Sequence, residues 1–323
     1  MKNKIAFEEH FAIADSVRES AQYAVPGQAG VLERRLLDLD GERLDEMDRS
    51  GIAFSILSLN APGVQSMFDA KKAIGYAARA NDTLAAAIAR HKSRYAGFAA
   101  VAMQDPDAAC EELTRAIKDL KFKGVMLSGF SQIGDEQTIV YYDDPRYRPF
   151  WATLAGLNVP FYLHPRDPLP ERTTFYDGHP WLRGASWAFG VETATHALRL
   201  MASGIFDTHP ALTGILGHLG ETLPYCIWRF DHRVSKRSPD IPAKRSFTEY
   251  LRKNFFVTTS GNYHTNTLRC AIEELGVERV MFSVDYPFEE CADAAKWFDT
   301  CDVSADDREK IGRTNAAQLF SLK

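Results

Sequence analysis

Five residues of this chain have the types and positions to hold a divalent metal ion: Glu8, His10, His164, His218 and Asp285. Each falls at the end of a short apolar run. Glu8 and His10 close KIAFEEH, His164 closes VPFYLH, His218 closes TGILGH and Asp285 closes RVMFSVD. Glu8 and His10 are two apart, so on a strand both point to one face and Glu9 points to the other. The same alternation pairs Tyr162 with His164 and Ser283 with Asp285. Imidazole nitrogen with carboxylate oxygen is a donor set for a divalent transition metal. Any one of these histidines alone fits a hydrogen-bonded core residue better than a ligand. Their joint placement at strand ends is what points to metal chemistry.

The five converge only if their strands lie side by side. Eight runs read as strands, near 4–8, 53–59, 96–101, 124–128, 159–164, 213–218, 255–260 and 279–285. Most are too apolar to have a solvated face, as expected of parallel strands covered on both sides. Helical patterns fall near 41–50, 70–91, 105–120, 145–157, 191–203, 221–233, 246–253, 265–275, 288–299 and 304–319. Gly51 is a stop signal, and Asp105-Pro106 is a start signal with Asp as cap. Eight strands alternating with helices predict an α/β fold, a (β/α)8 TIM barrel. A doubly wound sheet is the rival, but no GxGxxG follows the first strand. A barrel carries its catalytic side chains at the C-terminal ends of its strands. Two long stretches, 11–35 and 166–190, predict active-site loops. No linker divides the chain, so residues 1–323 read as one domain.

Composition sets the class. Hydrophobic content is 45% and charged content 25%, which excludes a disordered or fibrous chain. Lys and Arg number 38 against 43 Asp and Glu, a net charge of -5. Without a basic excess, nucleic acid is not an expected partner. No apolar stretch approaches the roughly 18 residues of a membrane span. The N-terminus lacks a signal-peptide pattern, and the five cysteines are scattered without a CxxC. A cytoplasmic, reducing location is the expectation.

The order Glu-x-His on strand one, His on strands five and six, and Asp on strand eight resembles the amidohydrolase superfamily. Further blocks place the resemblance in its metal-dependent aromatic decarboxylase branch. They are EEHF at 8–11, LSLNAPGVQ at 57–65, PFYLHPRDPLP at 160–170, GHPWL at 178–182, LMASGIFDTHP at 200–210, LGHLGE at 216–221, TTSGN at 258–262, SVDYPFE at 283–289 and IGRTNA at 311–316. Within the branch, the chain is most similar to the γ-resorcylate (2,6-dihydroxybenzoate) decarboxylases. The 2,3-dihydroxybenzoate and salicylate decarboxylases usually carry Ala at the position of His10.

The resemblance implies that Glu8, His10, His164 and Asp285 bind one metal, Zn2+ or Mn2+. The fourth strand, GVMLS, has no lysine to bridge a second metal, which agrees with a mononuclear site. It further implies that His218 and Glu221 form a hydrogen-bonded pair beside the metal. Their spacing of three would put them on one face of a helix already begun. The plain alternative for Glu221 is a first-turn acid facing the helix dipole. Glu221, Tyr225 and Arg229 would then form a stripe, with Arg229 binding an anionic substrate or making an ordinary ion pair. The resemblance favours the substrate role. Tyr23, Trp187 and Phe189 lie in the long loops, where they either pack locally or wall an aromatic ring. His179 is a weaker candidate, and His91, His196, His209, His232 and His264 are assigned no role.

The implied activity is non-oxidative decarboxylation of an ortho-hydroxybenzoate, with 2,6-dihydroxybenzoate giving resorcinol and CO2 reversibly. Asp285 is the expected proton donor, and no organic cofactor is needed. Sequence keeps two alternatives open: another hydroxybenzoate as substrate, or a mononuclear metal-dependent hydrolase of the same superfamily. A non-catalytic metal-binding barrel is a third. Family members imply a homo-oligomer, a tetramer.

Overall fold

Eight parallel strands follow one another in sequence order, each pairing with the next. They are β1 (Lys4–Phe11), β2 (Ile52–Leu59), β3 (Tyr95–Ala99), β4 (Gly124–Ser128), β5 (Phe161–His164), β6 (Gly214–Leu216), β7 (Phe255–Thr258) and β8 (Val280–Met281). The computed structural model describes residues 1–15, 17, 22–24, 26–237 and 240–322. Helices separate the strands, so the expected (β/α)8 barrel is the observed architecture.

Alternation along each strand explains why both faces are apolar. Ile56, Met126, Tyr162 and Ile215 point into the barrel with Ile5, Phe7 and Phe98. Their neighbours Leu57, Val125, Leu127, Leu163 and Leu216 face the surrounding helices. Both sets are buried, which is why the strand runs read as continuously hydrophobic. Asp69 and Asp105 cap the helices Ala70–Arg90 and Pro106–Lys118, each accepting backbone N–H bonds from the first turn. The helix Glu42–Arg49 stops before Gly51, whose φ is +67°.

Four features differ from the expectation or add to it. The eighth strand is only Val280–Met281, and β8 meets β1 through side chains and irregular backbone. Ser283 Oγ accepts the N–H groups of Phe7 at 3.1 Å and Glu8 at 2.7 Å. Asp285 N–H donates to Glu8 O at 3.0 Å, and His10 N–H donates to Tyr286 O at 2.6 Å. Ser283 is therefore spent on β1, and the expected pairing of its side chain with Asp285 at the mouth does not hold. The stretch 11–35 contains the start of the helix Ala29–Leu37, so that loop is shorter than expected. The stretch 166–190 is a succession of short 3-10 turns leading into the helix Ala188–Ala202. A small hairpin, Ser131–Gln132 with Ile139–Val140, has no pattern long enough to read from sequence. Among the described residues, no helix is long and apolar enough to cross a membrane.

Candidate active site

Ile5 and Phe7 point inward on β1, and an irregularity in its pairing between Ala6 and Glu9 shifts the alternation, so that Glu8 and His10 rather than Glu9 face the C-terminal mouth of the barrel, both 0% exposed. β5 ends on His164, and Asp285 follows β8 in a left-handed conformation at φ +83°. One donor atom from each of these four lies within 4.8 Å of the others. His10 Nε2 faces Asp285 Oδ1 at 3.1 Å, and His164 Nε2 faces Glu8 Oε1 at 3.4 Å.

The far atoms of Glu8, His10 and His164 are already engaged, which aims the near ones inward. Glu8 Oε2 accepts the hydroxyls of Tyr162, Ser260 and Thr258, the last at 3.1 Å. His164 Nδ1 donates to Pro165 O at 2.8 Å, leaving Nε2 with its lone pair. His10 Nδ1 lies 3.3 Å from Ser58 Oγ. By contrast, Glu8 Oε1, His10 Nε2 and Asp285 Oδ1 are buried without a hydrogen-bond partner. Orphaned buried polar atoms are costly. Three of them aimed at one point, two anionic and one imidazole, are what a divalent cation would satisfy.

Electrostatics agree. Burial pushes the Glu8 carboxyl above its usual range, against the pull of His218 and His10. Burial pushes the His164 imidazole well below its usual range, the neutral form that ligates metal. For Asp285, burial works against its charge, but the imidazoles of His10 and His218 hold it below the ordinary carboxylate range. His218 is the reverse. Burial disfavours its charge, yet Glu221 and Glu8 hold its pKa well above the usual value.

His218 and Glu221 do pair, at 2.7 Å from Nδ1 to Oε1, but not on a helix. The helix begins at Leu223. His218, Leu219, Gly220, Glu221 and Thr222 all have positive φ, from 52° to 88°. Only one of these is glycine, so the turn stores strain, at about 1–2 kcal/mol per non-glycine residue. It is held by Leu219 N–H to Thr258 O at 2.7 Å, and by His218 N–H to Ser260 Oγ at 3.2 Å. A left-handed turn also brings residues three apart together, so the pair survives the change of geometry. His218 Nε2 lies 3.6 Å from Asp285 Oδ2 and 4.0 Å from Glu8 Oε1.

The same shift explains Arg229. The stripe expected through Glu221, Tyr225 and Arg229 does not form, because Glu221 precedes the helix Leu223–Arg237. Tyr225 is 87% exposed, Arg229 is exposed with it, and Arg229 does not line the cavity beside the ligands. That cavity, about 350 Å3, is bounded by Tyr23, His164, Phe189, His218, Asp285 and Phe288. Tyr23 packs edge-on against Phe189 at 5.9 Å and Phe288 at 6.4 Å. Tyr23 and Phe189 thus form an aromatic wall. Phe288 completes it and went unassigned, although its block SVDYPFE flagged the neighbourhood. Trp187 lines a second cavity of about 530 Å3, which reaches His218 and Glu221 from the other side. His179 is exposed and packs edge-on against Trp181.

Gly217 gives the site its close approach. A Cβ there would sit 2.9 Å from both Glu8 carboxylate oxygens and 3.0 Å from Tyr162 Oη. Gly217→Ala is expected to weaken Mn2+ binding by roughly 10–100-fold, measured by direct titration. Unchanged affinity would mean the cradle around Glu8 yields freely.

Residues 33–322 match the amidohydrolase family model. The chain belongs to the amidohydrolase family. This amidohydrolase is 55% identical to a γ-resorcylate decarboxylase of Rhizobium radiobacter, over 100% of the chain and 99% of that relative. A crystal structure of a 2,6-dihydroxybenzoate decarboxylase complexed with 2,6-dihydroxybenzoate superposes with a TM-score of 0.98, at 54% identity and covering 100% of both chains. A dihydroxybenzoic acid decarboxylase from Polaromonas sp. JS666, solved with manganese and 2-nitroresorcinol, gives a TM-score of 0.97 at 51% identity, covering 100% of this chain and 98% of that one.

Proposed function

We propose that this amidohydrolase decarboxylates 2,6-dihydroxybenzoate to resorcinol and CO2, as a carbon–carbon lyase. The observation that carries this reading is the aromatic-walled cavity opening onto a buried cluster of orphaned ligands, in a chain that aligns end to end with decarboxylases of that substrate. Glu8, His10, His164 and Asp285 would hold one divalent ion, Mn2+ or Zn2+, and manganese is the ion in the Polaromonas relative. When bound, such an ion supplies positive charge that orients and polarises the carboxylate and ortho-hydroxyl oxygens.

The rest of the chemistry belongs to the chain. Direct loss of CO2 would leave an aryl carbanion, and protonating the carboxyl-bearing ring carbon first avoids it. Tyr23, Phe189 and Phe288 hold the ring in one plane, so orientation precedes chemistry. His218 carries the proton and passes it from Nε2 through Asp285 Oδ2, 3.6 Å away, to the ring carbon. Asp285, whose carboxyl His10 and His218 hold below the ordinary carboxylate range, carries that proton only in transit, and solvent returns a proton to His218 afterwards. The carbon–carbon bond then breaks, its electron pair restores the aromatic ring, and CO2 leaves. Glu221 orients His218 through Nδ1. No organic cofactor is required by this route.

A panel of hydroxybenzoates tests the substrate assignment on manganese-loaded protein. The 2,6-dihydroxy compound should have the highest kcat/KM, above the 2,3-dihydroxy and 2-hydroxy compounds. A preference for either of the others would move the reading to a different decarboxylase of the branch.

We also propose a homo-oligomer. Tyr225 is 87% and Trp228 68% exposed on one helix, an aromatic face that a second copy would cover. Arg229 lies on the same helix, with its substrate role carried by long-range attraction for the anion. Arg229→Ala should raise KM for the benzoate with kcat retained. Unchanged steady-state kinetics would leave Arg229 as a surface residue. Cys110, Cys226, Cys270, Cys291 and Cys301 are free thiols, which supports a cytoplasmic location.

A further inference from the structure

Glu9 lies between two ligands, yet it faces away from the metal cluster and is 3% exposed. Its carboxylate is fully used. Oε1 accepts Ser283 Oγ–H at 2.9 Å and Val284 N–H at 2.9 Å. Oε2 accepts Tyr286 N–H at 3.3 Å. These three donors come from the residues on either side of Asp285. Regular pairing of β8 has already stopped at Met281, and beyond it three isolated backbone bonds (Gly261 N–H to Val284 O at 3.2 Å, Asp285 N–H to Glu8 O at 3.0 Å and His10 N–H to Tyr286 O at 2.6 Å) share the stretch with the bonds to Glu9. Asp285 itself is a non-glycine residue at φ +83°, a conformation that persists only when its surroundings impose it.

We propose that Glu9 is the positioning residue for Asp285, using one buried carboxylate to hold the backbone on both sides of it. A neighbouring contact completes the grip from behind. Arg43 Nη2 donates to His10 O at 2.5 Å, and its guanidinium lies 4.6 Å from the Tyr286 ring centre. Arg35 lies 4.5 Å from the same ring. The Glu8-Glu9-His10 run thus divides its labour. Glu8 and His10 present donors to the metal, and Glu9 sets the opposing strand end that brings the fourth. This rests on the reading of Asp285 as ligand and proton-transfer group.

Two variants test it, Glu9→Ala and Glu9→Gln. Alanine removes all three acceptor contacts. Glutamine keeps Oε1 for Ser283 and Val284 but sets an amide N–H2 against Tyr286 N–H. Mn2+ affinity, the electron paramagnetic resonance spectrum of bound Mn2+, thermal midpoint, and kcat and KM at saturating Mn2+ are measured for each. Glu9→Ala should bind Mn2+ about tenfold more weakly, with an altered spectrum. Its kcat should fall by about 10²-fold with KM little changed, the scale of a reacting group misplaced by about 1 Å. Glu9→Gln should recover most of this, with Mn2+ affinity within about twofold and kcat within about five- to tenfold of wild type.

Wild-type Mn2+ affinity and kcat in Glu9→Ala would overturn the proposal. So would equal losses in both variants that track a lowered thermal midpoint, since a merely structural carboxylate behaves that way. If Glu9→Ala does not fold, Glu9→Gln decides, and wild-type kcat and affinity there overturn it. Asp285→Asn is run in parallel. Turnover in that variant would overturn the reading of Asp285 as proton donor, and Mn2+ affinity alone would then decide Glu9.

Discussion

Asp285→Asn should leave a folded protein that keeps much of its metal binding and loses turnover, with kcat down by about 10²–10⁴-fold. The expectation comes from two separate duties of one side chain. Oδ1 faces the ligand cluster, 3.1 Å from His10 Nε2, and Glu8, His10 and His164 still provide donors when it is replaced. Oδ2 faces His218 Nε2 at 3.6 Å, and in the proposed route it relays the His218 proton to the ring carbon. An asparagine fills the same space but cannot accept the His218 proton and pass it on. His218 would keep its bond to Glu221 through Nδ1, with no acceptor to which Nε2 could send a proton. Metal content and kcat are measured on the same preparation. Retained turnover would remove Asp285 from the proton path, while lost metal together with lost turnover would make it only a ligand.

Removing the metal should be as severe. Chelation is expected to abolish decarboxylation, a loss of at least about 10³-fold, because the several kcal/mol of charge stabilisation at the substrate oxygens goes with it. Adding Mn2+ back should restore activity. A readout independent of catalysis accompanies it. An ion that binds only the folded chain at about 100 times its Kd adds about 2.7 kcal/mol of stability, so the thermal midpoint should rise with Mn2+. The atoms proposed to hold the ion are buried without hydrogen-bond partners: Glu8 Oε1, His10 Nε2 and Asp285 Oδ1. His10→Ala removes one of them and should weaken Mn2+ binding and blunt the thermal shift. Unchanged metal content in His10→Ala would strike His10 from the ligand set.

The ligand cluster could be read from sequence because it obeys two strong local rules. Alternation of period two puts Glu8 and His10 on one face, and β5 ends on His164. Burial on both sides makes barrel strands conspicuous as apolar runs, so the order of eight was legible too. What failed did so where backbone conformation departs from regular rules. β6 stops at Leu216, and a left-handed turn through Thr222 carries His218 and Glu221. Residue preferences give little warning of it, since four of its five residues are not glycine. Placing the helix start two residues early also predicted a stripe from Glu221 to Arg229 that does not form. β8 is brief because side-chain bonds from Ser283 and Glu9 replace a ladder, and alternation could not say where Asp285 or Ser283 would point. Phe288 was missed for a plainer reason: one aromatic after a Tyr-Pro carries no spacing signal until the fold brings it within 6.4 Å of Tyr23.

The central claim is that this site protonates an aromatic ring and releases its carboxylate. Product stoichiometry tests it most directly. Manganese-loaded protein is incubated with 2,6-dihydroxybenzoate alone, and CO2 and resorcinol are quantified together. Equal amounts of both are expected, with one deuterium on the resorcinol ring carbon that bore the carboxylate when the reaction is run in D2O. Intact 2,6-dihydroxybenzoate, from protein that has bound manganese and hydrolyses an ester, amide or lactone instead, would contradict it.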